Sequence, residues 1–234
     1  MKKYLILISL FCSLLYAYET RSDLRVGVGG VYGLYKSDGE KDMKNTGGYL
    51  TLVGRDFSFN DRLFAQGGAD FALGKAKRDG RSDDFSLFNW HVKIGFNPIS
   101  QSNPLFINLV YAYDSFSTDL VAKDFALSTH SVGLDLQGFI RTQGKAHYEY
   151  NIGYYYTSGA YIVENAYANT KGYSYAIKGS LGFNYELSEK LAYFVNARVQ
   201  YFNLAASKAN DTLSYPKTSH LLGMLEFGIE FSFK

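Results

Sequence analysis

The sequence predicts an all-β chain: a single up-and-down antiparallel transmembrane β-barrel of about ten strands, with eight and twelve as the neighbouring even counts. Three observations carry that prediction. The 234 residues include 21 Tyr, 18 Phe and 23 Gly but only 3 Pro; aromatics suit strands, whereas Pro removes ladder donors. Apolar and polar residues alternate through segment after segment, which sends them to opposite faces of a strand. The connections also alternate, short then long, a parity that a soluble sandwich has no reason to keep.

Ten segments carry the alternation: Arg25–Tyr35, Gly48–Phe59, Arg62–Gly74, Phe85–Phe96, Leu105–Asp114, His130–Ile140, Tyr148–Tyr156, Tyr173–Leu187, Leu191–Asn203 and Ser219–Phe233. Most reach the roughly 9–11 residues that a tilted strand needs to cross hydrocarbon. Tight links follow the even segments, at Asn60-Asp61, 97–103, 142–146 and 188–190. Longer polar stretches follow the odd ones: Lys36–Thr46, Lys75–Asp84, Ser115–Thr129, Thr157–Gly172 and Leu204–Thr218. Short periplasmic turns and longer extracellular loops are the pattern of a barrel in an outer membrane, and an even strand count returns both termini to the periplasmic side.

Along the fourth segment Phe88, Trp90, Val92, Ile94 and Phe96 alternate with Asn89, His91, Lys93 and Gly95; along the ninth, Val195, Ala197, Val199 and Tyr201 face away from Asn196, Arg198 and Gln200. The apolar parity belongs against lipid, the polar parity inside. In the second segment Arg55 and Asp56 break either parity. The inward set is expected to contain Asp70, His91, Lys93, Asp135, Glu149, Lys178, Glu186, Arg198, Glu226 and Glu230. A barrel of this width is mostly filled by its own side chains, so these charges read as a cross-linked polar plug, with a narrow selective pore as the alternative. Tyr35, Tyr49, Tyr111, Tyr113, Tyr154, Tyr156, Tyr173, Tyr175 and Tyr201 fall at the loop-side ends, and Phe57, Phe59, Phe64, Phe96, Phe106, Phe139, Phe183, Phe231 and Phe233 at the turn-side ends. They are expected to form two aromatic girdles at the membrane interfaces.

The two ends of the chain agree with this placement. Lys2 and Lys3, an apolar run Leu5–Leu15 and Ala17 make the three parts of a cleaved secretory signal peptide, residues 1–17, ahead of a barrel domain over residues 18–234. Cys12 is the one cysteine, so the mature chain has no disulfide framework. Removing Lys2 and Lys3 lowers the basic count from 24 to 22, equal to the 22 acids; with no basic stripe, a nucleic-acid partner is not expected. At the other end Leu225, Phe227, Ile229, Phe231 and Phe233 share one face, while Glu226, Gly228, Glu230 and Ser232 share the other. This aromatic terminal strand resembles that of bacterial outer-membrane β-barrels, and the whole mature chain resembles the small-barrel superfamily that includes the outer membrane protein A transmembrane domain and opacity-type porins. The resemblance implies assembly by the barrel-assembly machinery through that strand, with Lys234 following where the family ends on the aromatic. It also implies contact with outer-membrane lipid and lipopolysaccharide, and surface exposure.

No cofactor, catalytic or metal residue is assigned. The four histidines lack metal-like spacing. His91 is placed mid-strand in the lumen, His147 at the periplasmic rim, and His130 and His220 near the extracellular rim. Ten strands also resemble the omptin surface proteases, for which Asp83 and Asp84 with His130 or His220 are the available acids and bases. For a lipid A-modifying enzyme, His130 with Ser128 or Ser131 is the nearest nucleophile–base set. Loop residues Leu120, Val121, Phe125, Leu127, Tyr161, Ile162, Val163 and Tyr167 are read as capping the mouth, with contact to an extracellular ligand as the alternative. The function expected first is a non-enzymatic structural or surface-interaction role through the loops. A small pore comes second and a barrel enzyme third.

Overall fold

A computed structural model describes residues 21–99, 102–164, 166–207 and 214–233; the signal-peptide expectation and Lys234 lie outside them. The described chain holds ten long strands: β1 Arg21–Ser37, β2 Met43–Ser58, β3 Leu63–Arg78, β4 Arg81–Phe96, β5 Leu105–Thr118, β6 Ala126–Arg141, β7 Ala146–Val163, β9 Tyr175–Ser188, β10 Leu191–Leu204 and β11 Thr218–Phe233. A short β8, Ala166–Asn169, pairs only with β7. Each long strand pairs antiparallel with its sequence neighbours, with β7 joined to β9, and β1 pairs with β11 from Ser22↔Phe233 to Ser37↔Thr218. The ten long strands thus close into a ring without a free edge, as lipid requires of a strand-built wall.

Most strands run further than their alternation of apolar and polar residues suggested, chiefly on the loop side; β1 also starts four residues earlier and β7 two residues earlier on the turn side. The stretch Lys75–Asp84 is not a loop but the end of β3, the turn Asp79-Gly80 and the start of β4. Asp79 (φ 52°) and Gly80 (φ 76°) adopt the left-handed conformation of a two-residue hairpin. Likewise Lys36–Thr46 shrinks to residues 38–42, and Ser115–Thr129 to 119–125. The reason is physical: beyond the hydrocarbon the outer face of a strand meets water, so polar residues there need not signal a loop, while inward residues such as Met43, Ala76 and Phe116 stay buried. The connection between β10 and β11, residues 205–217, stays long.

The outward parity is apolar around the ring. Leu50, Ile94, Leu109, Leu134, Ile152, Leu181, Leu225 and Phe227 are each 58–71% exposed, which only a hydrocarbon surround makes favourable. Tyr111, Tyr113, Tyr154, Tyr156, Tyr173, Tyr175 and Tyr201 lie outside near the loop side, and Phe96, Phe183, Phe231 and Phe233 outside near the turns. Several residues expected in the girdles are turned the other way. Tyr35 and Tyr49 face the lumen, and so do Phe57, Phe64, Phe106 and Phe139, which are 0–5% exposed. Height in the membrane was readable from their position along each strand, but inward or outward parity decides which solvent a ring meets. Arg55 also resolves inward, and Asp56 outward, where it accepts a hydrogen bond from Ser22.

Candidate functional site

The interior is filled in layers from one rim to the other. Nearest the periplasm, Phe57, Phe64, Phe106 and Phe139 pack with ring centroids 5.0–6.4 Å apart. The Arg55 guanidinium lies 5.8 Å from the Phe57 ring and 5.7 Å from Phe139. Aromatic faces attract cations, which seats the next layer on this one.

That next layer is an ion cluster spanning the lumen. Arg55 of β2 donates to Asp23 (3.2 Å), Glu149 (2.9 Å) and Glu230 (2.7 Å). Arg25 of β1 donates to Glu149 of β7, to Glu230, and to Asn184 of β9 at 2.7 Å. These two cations and three carboxylates all have side chains less than a tenth exposed, and Arg21, a third exposed, adds a third cation 3.5 Å from Asp23. Charges so deep persist only when paired and hydrogen-bonded, which the bidentate guanidinium geometry achieves.

Toward the middle, Lys93 bonds Asp135 at 2.8 Å, and Asp135 also accepts from Asn108 (2.5 Å) and Tyr155 (3.3 Å). Arg198 of β10 reaches across to Asp70 of β3 through two bonds of 2.9 and 2.6 Å, and lies 3.4 Å from Glu226. Glu226 accepts further bonds from Tyr49 and Asn196, both 2.8 Å. His91 meets Gln66 at 2.8 Å. A cavity of about 120 Å³ lies among these groups, large enough for several waters. Above it Lys178 pairs with Asp114 at 2.9 Å.

An apolar cap closes the extracellular end. Tyr161 stacks on Tyr215 with centroids 4.4 Å apart, Tyr215 stacks on Phe125 at 5.4 Å, and Tyr35 stacks on Phe116 at 6.0 Å. Burial pushes the hydroxyl of Tyr215, in the β10–β11 connection, up to about 12. Leu120 and Val121 pack against the same cluster, so Leu120, Val121, Phe125 and, near the end of β7, Tyr161 cap the barrel. Tyr167, by contrast, is 65% exposed.

Nine of the ten inward residues proposed from sequence lie in these layers. Glu186 does not join them: its side chain is 57% exposed, 3.8 Å from His147 beside a 300 Å³ recess at the periplasmic mouth. The sequence reading missed Asp23, Arg25 and Arg55. Arg25 sits beyond a Gly-rich stretch, and Arg55 follows Gly54 where the local parity is ambiguous. A strict period of two carried from outward Leu50 through Leu52 and Gly54 would have placed Arg55 inside. Within β11, Leu225, Phe227, Ile229, Phe231 and Phe233 all lie on the outward face.

The pairings considered for enzymes are not assembled among the described residues. His130 is on the outer face, with its Nδ1 2.7 Å from the Tyr111 hydroxyl. Ser131 faces inward and bonds Thr157, while Ser128 contacts Tyr113. His220 is buried among the rings of Tyr35, Phe116 and Phe202, and its Nε2 has no hydrogen-bond partner. Asp84 pairs outside the barrel with Lys75.

No family model and no characterised protein matches the chain in sequence. Solved structures do match in shape. The outer membrane protease OmpT of Escherichia coli aligns at TM-score 0.62 and 9% identity, over 93% of this chain and 98% of that one. The translocator domain of the autotransporter NalP of Neisseria meningitidis aligns at 0.49 and 11%, over 99% and 95%. The transport unit of the autotransporter AIDA-I of E. coli aligns at 0.43 and 13%, over 98% and 97%. The likeness to OmpT is one of fold; at such identity it carries no activity across.

Proposed function

We propose that this small outer-membrane β-barrel works as a non-conducting surface protein, a rigid wall that holds its extracellular hairpins out for contact with a ligand outside the cell. The observation that carries the reading is the filled lumen. Aromatic layers occupy both ends, and between them ion pairs tie β1 and β2 to β7, β10 to β3, and β9 to β5. Side chains bonded across the interior interrupt the transport path. Their cross-links also stiffen the platform from which the hairpins project, as a rigid scaffold suits binding loops. Above the membrane, the β7–β8 hairpin exposes Tyr167. The terminal strand β11, with its row of outward apolar side chains, is the segment that the barrel-assembly machinery would engage.

A narrow pore is the second reading. It is favoured by the 120 Å³ cavity above the Arg25–Arg55 cluster and the 300 Å³ recess below it, both of which Arg55 lines. Liposome swelling separates the two. Vesicles carrying the folded protein in an isotonic pentose solution are expected to swell no faster than protein-free vesicles. Swelling that scales with protein content would overturn the sealed-lumen reading in favour of the pore.

A further inference from the structure

The outer face of β1–β3 changes character abruptly above the apolar belt. Going up β2, Leu50 and Gly48 give way to Thr46 and Lys44; going up β3, Phe71 and Leu73 give way to Lys75 and Lys77. All these residues share the outward parity. Register places Lys44 directly opposite Lys77, so two ammonium stems rise from Cβ atoms about 5 Å apart, an arrangement that disfavours the sheet unless something neutralises it. Nearby carboxylates do not serve. Glu40 is held by Arg78, Asp42 by Lys36, Asp79 by Lys41, and Asp84 by Lys75. Asp79 holds the Lys41 ammonium above the usual lysine range. Asp83 lies on the opposite parity, in register with the buried Ala76. Lys44 and Lys77 have no acidic partner among the described residues.

Below this pair the wall is hollowed. Gly48 faces Gly30 of β1 in register. A Cβ on either would meet nothing nearer than a backbone oxygen, at 3.6 Å for Gly48 and 4.0 Å for Gly30. Tyr32, Leu50 and Leu73 flank the hollow, each about half exposed. The rise along a strand puts it about 13 Å beneath Lys44. A paired cation site at headgroup height, over an apolar depression at acyl-chain height, matches one kind of molecule.

We propose that Lys44 and Lys77 together bind the phosphate of a phosphorylated, acylated lipid of the outer leaflet, with one acyl chain lying over Gly30 and Gly48. The partner is a lipid and not free phosphate, because a soluble anion has no use for the depression. Each basic group near a charged membrane surface adds a modest increment, and two such increments together make a selective contact.

Native mass spectrometry of the folded barrel in detergent tests this, using lipid A, its dephosphorylated form and inorganic phosphate as three separate probes. The wild type should retain phosphorylated lipid A in preference to the other two. Lys44→Gln with Lys77→Gln should weaken retention about thirty-fold, as two increments of that size imply. Lys77→Glu should remove it while leaving the barrel folded, because it creates an opposite-charge cross-strand pair with Lys44. Lys190→Gln, at the periplasmic turn, should change nothing. Heat-modifiable gel migration verifies that each variant is folded. Equal retention by the double variant, equal retention of the dephosphorylated lipid, or equally tight capture of inorganic phosphate would each overturn the proposal.

Discussion

The Arg25–Arg55 cluster makes an unequal prediction about its own members. Arg55 touches three carboxylates and is only 2% exposed, while Glu149 touches both arginines and is 9% exposed. Replacing Arg55 by Gln leaves Arg25 alone against Glu149 and Glu230, and leaves Asp23 only the partly exposed Arg21 at 3.5 Å. Like charges about 5 Å apart at an effective dielectric near 20 repel by about 3 kcal/mol, and loss of one partner from a buried ion pair costs about 3–5 kcal/mol. Arg55→Gln should therefore destabilise by about 3–5 kcal/mol. Glu149→Gln removes one of the two carboxylates that Arg25 and Arg55 share; both arginines keep Glu230, and Gln keeps an acceptor oxygen. Its cost should be about 1–2 kcal/mol, that of weakened charge-assisted bonds. Adding Glu149→Gln to Arg55→Gln relieves one repelling carboxylate, and the double variant should recover about 1–2 kcal/mol relative to Arg55→Gln, within the range of couplings between contacting residues. Urea unfolding in detergent micelles, followed by the emission of the single tryptophan, Trp90, measures all three. The reasoning fails if Glu149→Gln proves more damaging than Arg55→Gln. It also fails if Arg55→Gln falls within about 0.5 kcal/mol of the wild type, as an ordinary surface change would.

Three further outcomes follow from the same interior and wall. Phe64→Ala, which empties a fully buried site between Phe57 and Phe106, should cost about 3–5 kcal/mol in the same unfolding assay; a cost under about 1 kcal/mol would mean that the rings are loosely packed. His220→Phe should hold or raise stability by about 1 kcal/mol, since it removes a buried nitrogen without a partner from an apolar setting. A loss of stability there would show that the nitrogen is satisfied. Trp90 lies on the outward face of β4 beside Tyr111. Its fluorescence should be quenched by brominated acyl chains and spared by aqueous acrylamide, and the reverse pattern would turn the wall inside out.

Much of the fold was legible because a lipid-facing wall imposes the simplest of sequence codes, a period of two over long stretches. The strands of the turn-side half were bounded well by Asn60-Asp61 and by 188–190. The loop-side half was not, since Lys75, Lys77, Asp83 and Asp84 look like loop residues although they continue the strands past the hydrocarbon. The Asp79-Gly80 pair was the better signal, a dipeptide suited to the left-handed turn that the hairpin requires. Within the lumen, isolated charges flanked by apolar residues, such as Lys93 and Arg198, were easy to place. Their partners were not, because Arg198 and Asp70 are 128 residues apart and meet only across a closed barrel. Phe57, Phe64, Phe106 and Phe139 misled because a phenyl ring suits a lipid interface as well as a packed interior. Only strict parity, broken in the second segment by Arg55 and Asp56, separates the two.

Single-channel recording in planar bilayers tests the central claim, that this barrel is sealed by its own side chains. Purified folded protein, inserted from detergent and held across a range of voltages in concentrated salt, should give no unitary current steps above the bare membrane. Reproducible steps of uniform size from the wild-type protein would contradict a lumen closed by the Tyr161–Tyr215–Phe125 cap above and the four phenylalanines below.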